Sequence, residues 1–265
     1  MSITPPPGTT ADPLYPDSDG QPMGETQDHI LAIIELYLTL ERHFKNHQDI
    51  HVAADLFLYY EQGNPRACKA PDVMVSKGVQ GKHRRRSFRV WEEKAVPTVV
   101  FEVTSAKTRR EDALEKPRAY AQVGIAEYFL FDPLDEYLRP RLQGFRLGPN
   151  GYEPMVPDSN GRLQSHELGL LLTPEGALLR LIDAQTGAVL PNQAELENRA
   201  AQAADANLAM QQAQRDAERT IKQAQRDSER AIKQAQRDVE RANDRAAKLE
   251  EELKRLRGQA GQADV

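Results

Sequence analysis

An eleven-residue repeat is the feature that most constrains what this chain of 265 residues can fold into. The segments QAQRDAERTIK, QAQRDSERAIK and QAQRDVERAND follow one another without a gap over residues 212–244. Eleven residues fill three helical turns at about 3.67 residues per turn, so equivalent residues stay on one side of a continuous helix. The repeat therefore predicts a long helix and not a packed globular segment.

The apolar residues of this helix form one stripe whose spacing changes along the chain. Up to Ala235 the stripe advances in steps of 4, 4 and 3 residues, and beyond it the steps alternate between 3 and 4. The first spacing favours a straight or right-handed supercoil and the second a left-handed one. We predict a coiled-coil helix over residues 195–257 that joins two chains in a homodimer. A single solvated helix held by Glu-to-Arg or Glu-to-Lys pairs at four-residue spacing is the alternative.

The rest of the chain contains the residues from which a compact domain is built. Trp91, all seven Phe and all eight Tyr precede residue 153. The single cysteine, Cys68, excludes an internal disulfide and a Cys-rich zinc site, and it fits a reducing compartment. The sequence shows no secretory signal and no apolar run of the ~18 residues that a membrane span needs. We therefore expect a cytoplasmic protein without membrane association.

Composition also divides the chain into segments. Residues 1–24 are rich in Pro and Gly without periodicity and predict a disordered lead, and residues 258–265 predict a disordered tail. A compact domain is expected over residues 25–192. From residue 195 onward there are 14 basic and 14 acidic residues. Residues 1–194 therefore contain 21 basic and 26 acidic residues, so the net charge of -5 belongs to this part of the chain. An acidic front weakens broad, non-specific attraction to nucleic acid.

Changes in hydrophobic period give the order of elements in this domain. Spacings of three and four predict an amphipathic helix over residues 25–46 that uses Ile30, Ile33, Ile34, Tyr37, Leu38 and Leu40. Short runs of β-forming residues predict strands. The sequence GPNG at 148–151 is a hairpin signal. The predicted strands are 52–60, 72–75, 97–104 and 127–132, with a helix over 111–123, a hairpin of 142–147 with 152–156, and a last pair at 168–172 and 178–182.

Two carboxylates interrupt the predicted strands. Asp72 opens one apolar strand and Glu102 lies inside another. A buried isolated carboxylate is costly unless it is paired or bound to a metal, and two of them supply the hard oxygen ligands that Mg²⁺ or Mn²⁺ prefers. Each residue taken alone also fits an ordinary charge at a strand end.

Five sequence blocks in series place these acids in a known pattern. The blocks are PDVMV (71–75), VWEEKAVPTVVFEVTS (90–105), KTRREDALEKPRAYAQVGIAEYFLFDP (107–133), YLRPRLQGFRL (137–147) and SHELGLLL (165–172). The series resembles the PD-(D/E)XK nuclease superfamily and, within it, the Uma-two family of restriction-endonuclease-like proteins, over roughly residues 25–192. The resemblance implies an α/β (α+β) domain with a mixed sheet, a restriction endonuclease-like αβββαβ core, extra β-hairpins and DNA as the partner.

The resemblance also implies residue roles. Asp72 and Glu102, with the Val103 carbonyl, would hold Mg²⁺ or Mn²⁺ for phosphodiester hydrolysis. The lysine expected two residues after the acid is replaced by Thr104, and the family places a lysine on the following helix, at Lys116. The remaining candidates are Thr104, Tyr120 and Glu127 around the site, and Lys82, Arg84, Arg85, Arg86, Arg89, Lys107, Arg109 and Arg110 for nucleic acid.

Several local expectations accompany these roles. The loop that carries Lys82 to Arg89 is expected to overhang the carboxylates. Thr108 and Glu111 predict a capping box for a helix starting near Arg109. Pro117 predicts a kink or a restart of that helix at Lys116, because the residue before a proline is driven away from helical angles.

Three functions remain open from the sequence. The first is an active metal-dependent DNA endonuclease that assembles through its C-terminal helix. The second is a catalytically inactive nuclease-fold module that binds nucleic acid, which the Thr104 replacement and the acidic charge favour. The third is an assembly protein whose helix recruits partners.

Overall fold

The computed structural model describes Tyr15, residues 26–105 and residues 108–260. The chain forms two compact units, Met1–Leu196 and Glu197–Val265. Apart from Tyr15, the predicted lead lies outside the described residues, as do residues 261–265 of the predicted tail. Within the described ranges, every helix is either too short or too polar to cross a lipid bilayer.

The described residues of the first unit form three helices, twelve strands and the start of a fourth helix. The helices are α1 (Gln27–His43), α2 (Val90–Glu93), α3 (Lys116–Val123) and α4 (Gln193–Ala260), and a π-helical turn (Glu111–Glu115) directly precedes α3. The strands are β1 (Ile50–Ala54), β2 (Leu58–Tyr59), β3 (Cys68–Lys69), β4 (Val73–Lys77), β5 (Phe88–Arg89), β6 (Pro97–Val103), β7 (Glu127–Phe131), β8 (Leu142–Gly148), β9 (Gly151–Pro154), β10 (Leu163–Ser165), β11 (Leu170–Glu175) and β12 (Leu178–Asp183).

A six-stranded mixed sheet forms the centre of this unit. Its strand order is β1-β4-β6-β7-β8-β9, with β6 and β7 parallel and every other neighbouring pair antiparallel. The series α1, β1, β4, β6, α3 and β7 confirms the predicted αβββαβ core. The predicted strand over 52–60 is divided into β1 and β2 at Asp55, whose φ of 48° interrupts the extended backbone.

The extra hairpins are also present. Strands β8 and β9 pair around the GPNG turn, with Gly148 opposite Gly151. Strands β11 and β12 form the predicted last pair, and they are joined by β10, which the sequence did not reveal. Strand β10 has three residues and is too short to show a period of two.

The central sheet is covered on both faces. Helix α1 packs on one face against a core that includes Val99, Phe101 and Phe129. The opposite face packs Val100, Tyr128 and other apolar residues against Tyr120 of α3.

The buried side of α1 differs from the predicted one. Its buried residues are His29, Ala32, Leu36, Thr39 and Leu40. Ile30 and Ile34 are both 46% exposed. The prediction of these two residues as core was wrong, because the helix carries apolar residues on more than one side and spacing alone does not identify the side that meets the sheet.

Helix α4 is continuous from Gln193 to Ala260, as the eleven-residue repeat predicts. Its first turn has a reciprocal cap: the Glu195 N–H donates to Asn192 Oδ1 at 2.9 Å and the Asn192 N–H donates to Glu195 Oε2 at 3.1 Å. Three residues of the predicted disordered tail, 258–260, are helical.

Gly144 on β8 provides a test of core packing. A Cβ at this position would lie 2.9 Å from Leu163 Cδ1 and from Phe129 Cε1. We expect Gly144→Ala to lower the free energy of unfolding by about 1–3 kcal/mol, because buried neighbours must move. Urea unfolding followed by Trp91 fluorescence measures the change.

Gly148→Ala on the same strand is the matched control. Its Cβ would meet the Glu153 carboxylate at 2.6 Å, at the end of an exposed and flexible side chain that can move away. If Gly148→Ala destabilised the domain as much as Gly144→Ala, the close packing around Gly144 would not be the cause.

Candidate active site

The two predicted carboxylates meet at one end of the central sheet. Asp72 directly precedes β4, and Glu102 and Val103 end β6. These strands are antiparallel, with Val73 opposite Phe101, so the start of one lies beside the end of the other. The Val103 N–H donates to Asp72 Oδ2 at 2.6 Å.

Lys116 reaches this sheet end from α3. Its Nζ lies 2.6 Å from Glu102 Oε2, and the Tyr120 hydroxyl donates to Glu102 Oε1 at 2.6 Å. Glu102 is completely buried and Lys116 is 7% exposed. The structure thus brings Asp72, Glu102, Lys116 and Tyr120 together. Lys116, on the helix, thus contacts Glu102, whereas the superfamily pattern would place the lysine at position 104.

Asp112 is a member of this cluster that the sequence interpretation missed. Its Oδ1 lies 2.8 Å from Lys116 Nζ, and the residue is 1% exposed. A signal was available, because Asp112, Lys116 and Tyr120 follow one another at steps of four residues and so share one side of a helix.

The backbone that carries these residues is a π-helical turn followed by an α-helix. The Lys116 N–H donates to the Glu111 carbonyl, five residues earlier, and α3 then begins with Pro117 in its first turn. Residues 109–110 are already helical, which confirms the start near Arg109. Lys116 has helical angles, φ -57° and ψ -43°, so the helix continues through it with a change from π-helical to α-helical bonding, and the expected departure from helical angles before Pro117 is wrong.

The predicted capping box is wrong. Thr108 Oγ1 accepts from the Ser105 N–H at 3.3 Å, and Glu111 forms an ion pair with Lys69 at 2.7 Å. Glu111 lies inside the π-helical turn, and its carboxylate is used by a neighbouring strand and not by the helix start.

Burial and like charge dominate the electrostatics of the cluster. Burial raises the pKa of Glu102 to about 8 and that of Asp72 to about 6, against the attraction of Lys116. Burial opposes the charged form of Lys116, but Glu102, Asp112 and Asp72 outweigh it and raise the pKa of that ammonium. Burial and Glu102 raise the pKa of Tyr120 well above its usual value.

The Val103 peptide is held on both sides. Its carbonyl accepts a hydrogen bond from His29 Nε2 at 2.5 Å, while its N–H donates to Asp72. A carbonyl oxygen can only accept, so the His29 Nε2 carries the proton. Helix α1 therefore contributes one side chain to the end of β6 that carries Glu102.

The donor atoms of the cluster fit a hard divalent cation in chemistry and charge. Asp72, Glu102 and the Val103 carbonyl are oxygen donors, and each carboxylate oxygen can accept a second interaction beside its present hydrogen bond. Three acids around one ammonium carry two net negative charges when all are ionised, which a divalent cation balances. Over the part of the chain that the structure describes, no three His, Cys, Asp or Glu side chains already surround a common metal position.

Glu127 lies on the other face of the sheet. In the parallel register of β6 and β7, Glu127 is opposite Val99, and its side chain shares the face of Phe129 and not that of Glu102. Its carboxylate accepts from Ser165 Oγ at 2.5 Å and from the His166 N–H at 3.0 Å. The structure thus separates it from the cluster, because strand residues alternate in direction.

Thr104, in contrast, is next to the site. It is 2% exposed, its N–H donates to the Phe131 carbonyl at 2.7 Å, and its Oγ1 has no hydrogen-bond partner among the described residues. The ammonium that the resemblance leads one to expect at this position comes instead from Lys116 on the helix.

The basic loop is not placed over the carboxylates as predicted. Lys82 donates to the Phe44 carbonyl at 2.5 Å, at the end of β4 opposite to Asp72. Arg85 forms two hydrogen bonds to Glu93, at 2.6 and 2.8 Å. Long loops can fold back on their own acidic residues, and sequence order does not show this.

The remaining basic candidates differ in their surroundings. Arg89 contacts Glu92 at 3.0 Å and its guanidinium lies 4.8 Å from the centre of the Tyr15 ring. Arg84 and Arg86 are exposed. Arg109 and Arg110 are exposed directly after the end of β6, and Lys107 lies outside the described residues.

Comparison with known proteins gives one family match. The model of the family Uma2, described as "Putative restriction endonuclease", matches residues 11–178, which are 168 of the 265 residues. No curated protein matches the chain. A crystal structure titled as a "putative nuclease belonging to DUF820 from Anabaena variabilis ATCC 29413" is 15% identical, with a TM-score of 0.40, and the alignment covers 57% of this chain and 80% of that one.

The raised pKa of Glu102 predicts a pH-dependent stability. The folded state keeps the Glu102 proton up to a pH of about 8, whereas the unfolded chain releases it near 4.5. Between these values the folded state binds more protons, so the free energy of unfolding falls as the pH rises, by at most about 1.4 kcal/mol per pH unit from this group.

Glu102→Gln removes this titration and keeps the shape of the side chain. We expect the stability of the variant, relative to the natural sequence, to increase between pH 5 and pH 8. Urea unfolding at both pH values in the presence of EDTA, followed by Trp91 fluorescence, measures the difference. An equal pH dependence of both proteins would contradict the assignment of the buried proton to Glu102.

Proposed function

Because this chain belongs to the Uma2 family, we propose that it is a divalent-metal-dependent endonuclease that hydrolyses phosphodiester bonds of DNA. The observation that carries the proposal is the 2.6 Å contact of Lys116 Nζ with Glu102, beside Asp72 at the joined ends of β4 and β6. The family match supports a nuclease-like function, and the site chemistry supports the metal and the phosphate. The single Cys68 is consistent with action in the cytoplasm.

Asp72, Glu102 and the Val103 carbonyl would hold Mg²⁺ or Mn²⁺ in this proposal. A divalent cation bound there supplies Lewis-acid chemistry: it polarises a phosphoryl oxygen and lowers the pKa of a bound water. The two carboxylates must release their protons to bind it, which is costly in the buried site until the cation arrives. His29 and Asp72 fix the Val103 peptide from both sides and so keep its carbonyl at the sheet end.

In this proposal Lys116 acts on the attacking water and Tyr120 positions Glu102. The Lys116 ammonium keeps its charge because three acids surround it, so it can orient the attacking water or balance phosphate charge. Tyr120 fixes one oxygen of Glu102 and leaves the other to Lys116. The basic side chains best placed for a nucleic-acid backbone are Arg109 and Arg110, which are exposed next to the site end of β6.

Cleavage of plasmid DNA tests the proposal. With Mg²⁺ or Mn²⁺ we expect the natural sequence to cut supercoiled DNA, and we expect Glu102→Ala and Lys116→Met each to lower the rate by about 10²-fold or more. Conversion to nicked and linear forms on agarose gels gives the rates.

Glu115→Gln is the matched control, because Glu115 is exposed on the same π-helical turn and should keep the full rate. Cleavage in EDTA, or activity that survives Glu102→Ala, would overturn the proposal. An uncleaved plasmid with retained DNA affinity would instead favour a nuclease-fold binding module.

We also propose that α4 joins two copies of the chain. Its apolar stripe is exposed along the helix, at between 53% and 60% for Ile221, Ile232, Val239, Leu249 and Leu253. Burial of each such side chain contributes about 1.5–3 kcal/mol, enough in sum to offset the cost of association. A second copy offers the same change of spacing near Ala235 and therefore a matching stripe.

Light scattering tests this dimer. We expect the natural sequence to have twice the monomer mass of 29.8 kDa at micromolar concentration. The triple variant Ile221→Gln, Ile232→Gln and Val239→Gln should be monomeric, since the seam loses its apolar contacts.

The control for the dimer replaces charges off the stripe and keeps the helix. Arg215→Gln, Arg226→Gln and Arg237→Gln occupy one equivalent position in the three repeats. This variant should keep the mass of the natural protein. A monomeric natural protein, or a stripe variant that stays dimeric, would remove α4 from assembly.

A further inference from the structure

Lys116 has two buried acidic neighbours where one would balance its charge. Glu102 Oε2 lies 2.6 Å and Asp112 Oδ1 lies 2.8 Å from its Nζ. Lys116 brings one positive charge to an interior that already holds Glu102 and Asp72, so Asp112 adds to an excess of acidic groups there. A second buried acid of this kind costs stability unless another interaction compensates for it.

Among the described residues, neither oxygen of the Asp112 carboxylate has a hydrogen-bond partner, and the carboxylate forms an ion pair with Lys116. Asp112 is 1% exposed. A side chain that only filled this space would need no charge, so the carboxylate is accounted for by its ion pair with Lys116. Buried acceptors without a hydrogen-bond partner are rare in folded proteins, so this one indicates a role other than stability.

The backbone around Asp112 is built to hold it beside Lys116. The i→i+5 bond of the π-helical turn ends at Lys116, and the next residue, Pro117, has no N–H to continue the pattern to the Asp112 carbonyl. The Tyr128 hydroxyl donates to that carbonyl at 2.6 Å instead. The Asp112 backbone is thus fixed to the central sheet through β7, and π-helical turns are frequent at functional sites.

We propose that Asp112 is the positioning residue of Lys116: it holds the ammonium together with Glu102, so that Lys116 stays directed at the carboxylate cluster. The proposal rests on the proposed nuclease function for its kinetic consequence. Its structural content, that Asp112 restrains Lys116, does not depend on that function.

Amine labelling tests the restraint without any activity. Full-length protein is treated with acetic anhydride, and the acetylation rate of Lys116 is measured by peptide mass spectrometry relative to exposed Lys94. We expect Asp112→Asn to raise the Lys116 rate by about 3-fold or more, since one of its two ion pairs is lost. Glu115→Gln should leave the rate unchanged. An unchanged rate in Asp112→Asn overturns the proposal, whether or not the protein cleaves DNA.

Kinetics test how the restraint acts. In the cleavage assay we expect Asp112→Asn to lower kcat by about 10–100-fold, because small displacements of an oriented group are costly, with KM for DNA and the calorimetric Kd for Mn²⁺ nearly unchanged. In a Lys116→Met background the same change should have no further effect on kcat.

Additive losses in the double variant, or a weaker Mn²⁺ affinity in Asp112→Asn alone, would show that Asp112 acts elsewhere than through Lys116. We expect the thermal midpoint of Asp112→Asn, measured by Trp91 fluorescence, to be at or above that of the natural protein. A large fall in this midpoint would show that Asp112 serves stability instead. If the natural protein does not cleave DNA but the labelling result holds, the nuclease proposal fails while the positioning of Lys116 stands.

Discussion

The buried contact of Glu102 with Lys116 and Tyr120 is the interaction on which the arrangement of the first unit depends. A carboxylate at the end of β6 is tolerated inside the core because α3 supplies an ammonium and a hydroxyl at 2.6 Å each. The helix must therefore pack on the face of the sheet to which Glu102 points. Without these partners the acid would be a buried polar group with no hydrogen bonds, which is costly in a core.

This contact also leaves an excess of acidic groups at the site. The three acids exceed the one ammonium, so burial and mutual repulsion raise the pKa values of Asp72 and Glu102. The excess can be relieved by protons or by a cation. The fold thus keeps an excess of acidic groups at the joined ends of β4 and β6. The hydrogen bonds to Val103 keep the oxygen atoms of this site close together.

Much of this was predictable from the sequence, and the failures have physical causes. The αβββαβ order followed from hydrophobic periods, and the lysine on α3 followed from the family blocks. Asp112 was missed although its spacing to Lys116 and Tyr120 was visible, because an acid on a polar helix start is usually solvated. Glu127 and Lys82 were misplaced because strand direction and loop path depend on register and on tertiary contacts that one sequence does not show.

The π-helical turn between Glu111 and Glu115 has a consequence for the length of the chain. A π-helical turn contains one residue more than the α-helical turn it replaces, and it is less stable. Removal of exposed Glu115 would allow regular α-helical bonding, but it would rotate Asp112 by about 100° relative to Lys116. Helix stability therefore favours a turn without Glu115, whereas the geometry of the site requires the turn with it. A deletion that converted this turn into a regular α-helix would stabilise the helix, but it would also move Asp112 out of alignment with Lys116.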